Sequence, residues 1–212
     1  MRLQKCFGVV AAVFSACLLA GSAAHAQSGS TTQPPHTAMR NDIALEGFGQ
    51  YTGKASGDGI TVTTTRSVGL AAFLRHSYHW WAGYETGYVY TRYTNYYTGQ
   101  IFGRQANMHE FSGSYYIHAP KKMLFLEPFA TAGISAILFS PSLNGGQNVP
   151  WQPRLGETFS GGTNIPLMGS AFGVRLEYRG VFYKTPDFRR ANLKTGSHRL
   201  TGEPMAGLYM RF

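Results

Sequence analysis

The chain has 212 residues, 14% of them aromatic and 14% charged, with 26 glycines and a formal net charge of +9. Outside one N-terminal segment no apolar run approaches the ~20 residues of a membrane-spanning helix, so a helical membrane protein is excluded and any crossing has to be made by strands. Cys6 and Cys17 are the whole thiol content and both fall in that N-terminal segment, which excludes a disulfide-stapled scaffold.

Residues 1–26 carry Arg2 and Lys5, an apolar run from Phe7 to Ala20, and small residues ending Ala24-His25-Ala26. This is the pattern of a secretory signal peptide cleaved after Ala26. Phe14-Ser15-Ala16-Cys17 loosely resembles a lipoprotein cleavage box, but departs from it at its first residue. Removing Arg2 and Lys5 lowers +9 to +7 for the mature chain, a basic balance suited to anionic lipid headgroups. No nucleic-acid partner is expected. Residues 27–40, rich in Ser, Thr and Pro, read as a disordered leader, and residues 41–212 as one domain.

Within that domain, period-two alternation marks strands. The first, 42–51, sets Ile43 and Leu45 outward and Glu46 inward; 52–58 reads as a loop. The second, 64–74, alternates Val68, Leu70, Ala72 and Leu74 against Ser67, Gly69, Ala71 and Phe73. A short turn at 76–79 leads to the third, 81–91, with Tyr84, Tyr88 and Tyr90 opposite Glu85. Residues 92–106 read as a long polar loop. The fourth, 108–118, sets Phe111, Tyr115 and Ile117 against Glu110, Ser112 and Ser114. After a turn at 120–122, the fifth, 124–138, carries Pro128, for which a bulge is expected. Residues 140–153 read as a second long loop. The sixth strand, 156–164, barely alternates. The turn 165–169 feeds the seventh, 171–183, where Phe172, Val174, Leu176, Tyr178 and Phe182 face away from Arg175, Glu177 and Arg179. A basic loop, 185–197, precedes the eighth, 198–212.

Connections therefore alternate long and short, and Glu46, Glu85, Glu110, Glu127, Glu177 and Glu203 all oppose their strand's apolar set. Both regularities fit an all-β, eight-stranded antiparallel up-and-down transmembrane β-barrel with apolar residues toward lipid and charges in the lumen. A soluble sandwich would need neither aromatics along every outer face nor an export signal.

The last strand places Leu200, Ala206, Leu208, Met210 and the terminal Phe212 on one parity. This resembles the assembly signal of bacterial outer-membrane barrels, with Met210 where Tyr is common and Tyr209 one place off. With its strand count, residues 41–212 resemble the OmpA/OmpX-type superfamily of small outer-membrane barrels. The resemblance implies a bacterial outer-membrane location, recognition of Leu208, Met210 and Phe212 by the barrel-assembly machinery, and contact with outer-membrane lipids and lipopolysaccharide. No peptidoglycan-binding domain is expected beyond Phe212.

Eight strands leave a bore that side chains fill, so Glu46, Glu85, Glu110, Arg175, Glu177 and Arg179 are expected to form a packed charge network rather than a conduit. Lys184, Arg189, Arg190 and Lys194, with the neighbouring Arg199, form an outward basic cluster suited to lipopolysaccharide phosphates. Tyr93, Tyr96, Tyr97 and Trp151 suit contacts to an unidentified surface ligand. Lipid A-modifying enzymes of this barrel size place a Ser/His pair and a carboxylate near the last strands. The nearest set here, His198, Thr201 and Glu203, splits across the wall by parity, so no catalysis is expected. No metal or cofactor is expected either; His76 and His79 read as interface residues.

Overall fold

The computed structural model describes residues 41–119, 125–141, 151–167 and 171–212. The signal peptide and leader, residues 1–40, lie outside this set, as do the turn at 120–122 and most of the 140–153 loop. The described strands are β1 (Asn41–Thr52), β2 (Ala55–Gly57), β3 (Ile60–Thr64), β4 (Ser67–Ser77), β5 (Ala82–Tyr97), β6 (Arg104–His118), β7 (Glu127–Pro141), β8 (Gln152–Pro166), β9 (Phe172–Lys184) and β10 (His198–Arg211). Eight of them, all but β2 and β3, pair antiparallel with both neighbours and close into a barrel through the β1–β10 seam and the β5–β6 ladder. At that seam Asn41 N donates to Phe212 O at 3.1 Å and Phe212 N to Asn41 O at 2.9 Å, so both ends of the domain lie at one rim.

One number sets the geometry. Stepping from Asp42 to the directly opposed residue on each next strand passes Arg75, Glu85, Ser114, Gly133, Thr158, Val181 and Thr201. It returns to β1 at Thr52, ten residues on. Eight strands sheared by ten residues tilt about 40° from the axis. Because ten is even, the two-residue alternation survives closure, and one face of every strand stays inside.

The faces are inverted relative to a water-soluble barrel. Val68 and Leu155, each 80% exposed, stand on the outer wall with Leu45, Leu70, Ile134 and Tyr115, while Arg75, Arg175, Glu110 and Glu203 are buried inside. An apolar exterior around a charged interior suits a wall solvated by lipid tails. Space for the large lumen side chains comes from glycines directly across the ladder. Phe48 lies over Gly69, Phe73 over Gly87, Tyr116 over Gly83, Phe129 over Gly162 and Tyr209 over Gly173. Each ring covers backbone that the missing Cβ leaves open.

Several sequence expectations need correction. The 52–58 loop is part of a hairpin: β2 and β3 turn at Asp58-Gly59, whose φ values of 52° and 75° are the left-handed pair of a tight hairpin turn. β3 then extends the wall by pairing with the far end of β5. The 92–106 loop shrinks to 98–103, because β5 runs on to Tyr97 and β6 begins at Arg104. Pro128 makes no bulge. The β7–β8 register runs unbroken past it, and Pro128, the second residue of β7, lies just beyond the end of the β6–β7 ladder at Phe129, where a missing N–H costs little. The sixth predicted strand does alternate once seen at full length, with Leu155, Glu157 and Phe159 outward and Thr158, Ser160 and Asn164 inward. Glu157 thereby breaks the rule that the strand carboxylates face the lumen.

Candidate functional site: a charged lumen beneath a basic mouth

Inward side chains bridge the bore at three heights. Nearest the rim with the chain ends, Arg75 Nε binds Glu85, directly opposed on β5, and its Nη2 reaches Glu177 Oε2 on β9 at 3.3 Å. Arg175 Nη2 donates to Asp42 Oδ1 at 2.6 Å and its Nε to Asn164 Oδ1 at 2.8 Å, while Glu46 lies 3.9 Å away. Both guanidinium groups rest against the ring of Phe129, at 3.9 Å from Arg75 and 5.5 Å from Arg175. At mid-height, Arg179 is forked onto Glu110 across the bore and donates to Glu203 Oε2, its opposed neighbour on β10, at 2.8 Å. Gln50 Nε2 donates to Glu203 Oε1 at 3.5 Å, and Gln50 Oε1 accepts from Ser67 Oγ at 2.9 Å.

The third height holds a cation with no carboxylate among the described residues. Arg199 donates to the phenol oxygens of Tyr183 and Tyr93, each at 3.0 Å, to Thr64 Oγ1 at 2.9 Å and to Asn95 Oδ1 at 3.1 Å. Its charge also faces both tyrosine rings. Above this cage Val62, Tyr97, Ile137, Phe139, Phe188 and Leu193 pack into one apolar cluster that closes the mouth.

The structure thus brings Glu46, Glu85, Glu110, Arg175, Glu177 and Arg179 into one lumen, but their pairing departs from a ladder confined to neighbouring strands. The Arg179–Glu110, Arg75–Glu177 and Arg175–Asp42 pairs span non-adjacent strands. Arg75, Asp42 and Glu203 join them; Arg75 lies one residue past the expected end of the second strand at Leu74, whereas β4 runs on to Ser77. The inward parity of Arg75 with Phe73 was the available signal. Arg199 moves from the outward cluster to the lumen core. Tyr93 and Tyr97 are likewise buried, leaving Tyr96 and Trp151 exposed. His198 stands outside, stacked on Phe182, while Glu203 is in the lumen. Among the described residues no group of three or more His, Cys, Asp or Glu is arranged to hold a metal.

At the mouth, the last loop folds inward. Phe188 and Arg189 adopt left-handed φ values of 49° and 58°, uncommon for these side chains. The bend drives Phe188 and Leu193 into the apolar cluster and leaves Lys184, Arg189 and Lys194 exposed and Arg190 half-buried. A latch holds it. Gln152 Nε2 donates to Asp187 Oδ1 at 2.6 Å, Gln152 Oε1 accepts from the N–H groups of Asp187 and Phe188 at 3.0 and 2.8 Å, and Arg154 lies 3.3 Å from the same carboxylate. Partial burial pushes the Asp187 pKa up. The bonds from Gln152 and the Arg189 N–H, with the Arg154 charge, outweigh it and hold the carboxyl below its usual range. A depressed carboxylate stabilises the latched loop above its ordinary pKa of 3.8 and loses that contribution as pH falls through the folded value. Backbone amide exchange at residues 187–193 is therefore expected to quicken as pH drops below 3.8, relative to the same residues in Asp187→Asn. Equal pH dependence in both proteins would remove Asp187 from the latch.

The C-terminal strand presents Leu208, Met210 and Phe212 outward, each about half exposed, and turns Tyr209 into the lumen over Gly173.

This architecture is shared with solved structures. The chain is similar to the outer membrane protein OprG of Pseudomonas aeruginosa, at 10% identity, covering 82% of this chain and 96% of that one with a TM-score of 0.56. It is also similar to Neisserial surface protein A, at 16% identity, covering 80% and 97% with a TM-score of 0.54. No protein-family model matches the chain, and no curated protein matches it by sequence. The fold is that of the small bacterial outer-membrane β-barrels, an eight-stranded antiparallel up-and-down transmembrane barrel.

Proposed function

We propose that the protein is exported by its signal peptide, cleaved after Ala26, and resides in the bacterial outer membrane as a structural, surface-exposed barrel with no catalytic role. The observation that carries this reading is the inverted wall, with apolar side chains outside and ion pairs across the bore. In this orientation the rim with the chain ends faces the periplasm and the latched mouth faces outward, as the short turns and longer far-end loops of such barrels suggest. The barrel-assembly machinery would engage the outward Leu208, Met210 and Phe212. The exposed Lys184, Arg189 and Lys194, with Arg190, would meet lipopolysaccharide phosphates, because cations at that height gain charge-assisted bonds. A surface partner would reach Tyr96 and Trp151 from the same side.

The test is lipopolysaccharide retained through purification. Replacing Arg189, Arg190 and Lys194 together by Gln is expected to reduce the bound amount several-fold while the barrel still migrates as a folded, heat-modifiable band. Undiminished lipopolysaccharide on that variant would sink the loop contact.

A further inference from the structure

We propose that the outer wall of β5 and β6 carries a phosphate-binding site for lipid A, built on Arg92 and Asn107. The proposal rests on the outer-membrane placement above and adds a site separate from the loop. Arg92 is exposed on the outward face of β5, directly opposed to Asn107 on β6. Its Nε donates to Asn107 Oδ1 at 2.7 Å, the Tyr90 hydroxyl donates to the same oxygen at 3.4 Å, and Asn107 Nδ2 donates to Ser140 Oγ at 3.4 Å. These bonds fix the guanidinium plane through its inner edge. Among the described residues nothing else hydrogen-bonds or ion-pairs with the Arg92 guanidinium, so its two Nη groups are left for a ligand. The one outward carboxylate in the described strands, Glu157, is on β8, two strands from Asn107.

Height on the wall decides what this fork meets. Tyr84 and Arg92 share the outward face of β5, eight residues apart, which is about 20 Å along the axis of strands tilted about 40°. Tyr84 belongs to the inner girdle with the exposed Tyr78 and Trp80, and the apolar band of such barrels is about 25 Å tall. Arg92 therefore sits at the outer headgroup boundary. A guanidinium offers two parallel N–H donors to one phosphate, a match a lysine lacks.

Beside the fork lies an aromatic shelf. Tyr88 and His109 share a 2.9 Å hydrogen bond, the Tyr90 and His109 rings are 5.1 Å apart, and Trp151 lies nearly parallel to His109 at 6.1 Å and 13°. Below it Phe111 is exposed toward the tails. Flat rings next to a phosphate fork suit a phosphorylated sugar resting its apolar face on the shelf. A glycerol headgroup has no such face, so the occupant is the phosphorylated disaccharide of lipid A.

The experiment uses the folded, detergent-purified full chain and native mass spectrometry with added diphosphoryl lipid A or phosphatidylglycerol. Arg92→Gln is expected to weaken diphosphoryl lipid A binding about tenfold, the loss of one charged bidentate contact. Both proteins should keep the heat-modifiable band, since Arg92 is a surface residue. Wild-type affinity in Arg92→Gln overturns the site. Phosphatidylglycerol binding as tightly as lipid A overturns the assignment of the sugar. The Arg189, Arg190 and Lys194 variant separates the two ideas: if it binds normally while Arg92→Gln does not, the loop contact fails and the wall site stands.

Discussion

Arg179→Ala is expected to be the most damaging single substitution in the lumen. Among the described residues Arg179 is the only guanidinium that meets Glu110 and Glu203, and all three side chains are almost wholly buried. Removing the cation leaves two carboxylates facing each other across a bore that water cannot freely enter, and breaking such a pair costs about 3–5 kcal/mol. The folded band should disappear at markedly lower temperature or urea than in wild type. Replacing all three by neutral residues of similar size, Arg179→Met with Glu110→Gln and Glu203→Gln, should recover most of the loss, because burial of the charges is itself expensive. If Arg179→Ala unfolds like wild type, the ion pairs are not what fills the bore.

The second large effect is expected at the seam. Gly207 lies inward on β10, opposed to Glu46 on β1, and a Cβ there would run into the backbone oxygen of Leu45 and come within 2.6 Å of Glu46 Cα. Backbone cannot swing aside as a side chain can. Gly207→Val therefore forces β1 and β10 apart at the one ladder that joins the two ends of the domain. The cost is about 3 kcal/mol, the upper end for overpacking, and folding into lipid vesicles should yield mostly the unclosed, unshifted band. Gly47→Ala is the matched control on the same seam: nothing lies within 4 Å of its added methyl, and it should fold normally. Equal yields for the two variants would mean that the seam has slack the structure does not show.

Much of the wall could be read from residue order alone. On β9 the apolar and charged residues separate cleanly by parity because that stretch crosses the lipid band, where the two faces meet opposite solvents. The same logic fails beyond the band. From Arg92 to Tyr97 both faces of β5 carry polar and aromatic residues, since headgroups and water, not acyl tails, lie outside, and the contrast that marks a strand fades. The Asp58-Gly59 turn was visible as a dipeptide, yet its flanking residues are too few and too polar to announce a hairpin. Arg199 looked like part of the basic loop beside it. Only its parity with Thr201 and Glu203 pointed inward.

The pairing inside the lumen was the least legible part. Which carboxylate meets Arg179 depends on the ten-residue shear that sets β6 opposite β9 across the bore, and no local stretch encodes that number. Neighbouring-strand partners such as Arg75 with Glu85 follow from register, whereas Glu110 with Arg179 follows only from closure. Arg92 lies one residue beyond the 81–91 span that alternation marks, although β5 itself runs on to Tyr97.

The proposed surface role requires that the ion pairs and the latched mouth fill the bore and leave no path for current. Conductance of the refolded protein in a planar lipid bilayer tests this most directly. Wild type is expected to insert without discrete current steps at neutral pH, at either polarity. Stable, repeatable ohmic steps from the wild-type protein would contradict the filled lumen and the surface role built upon it.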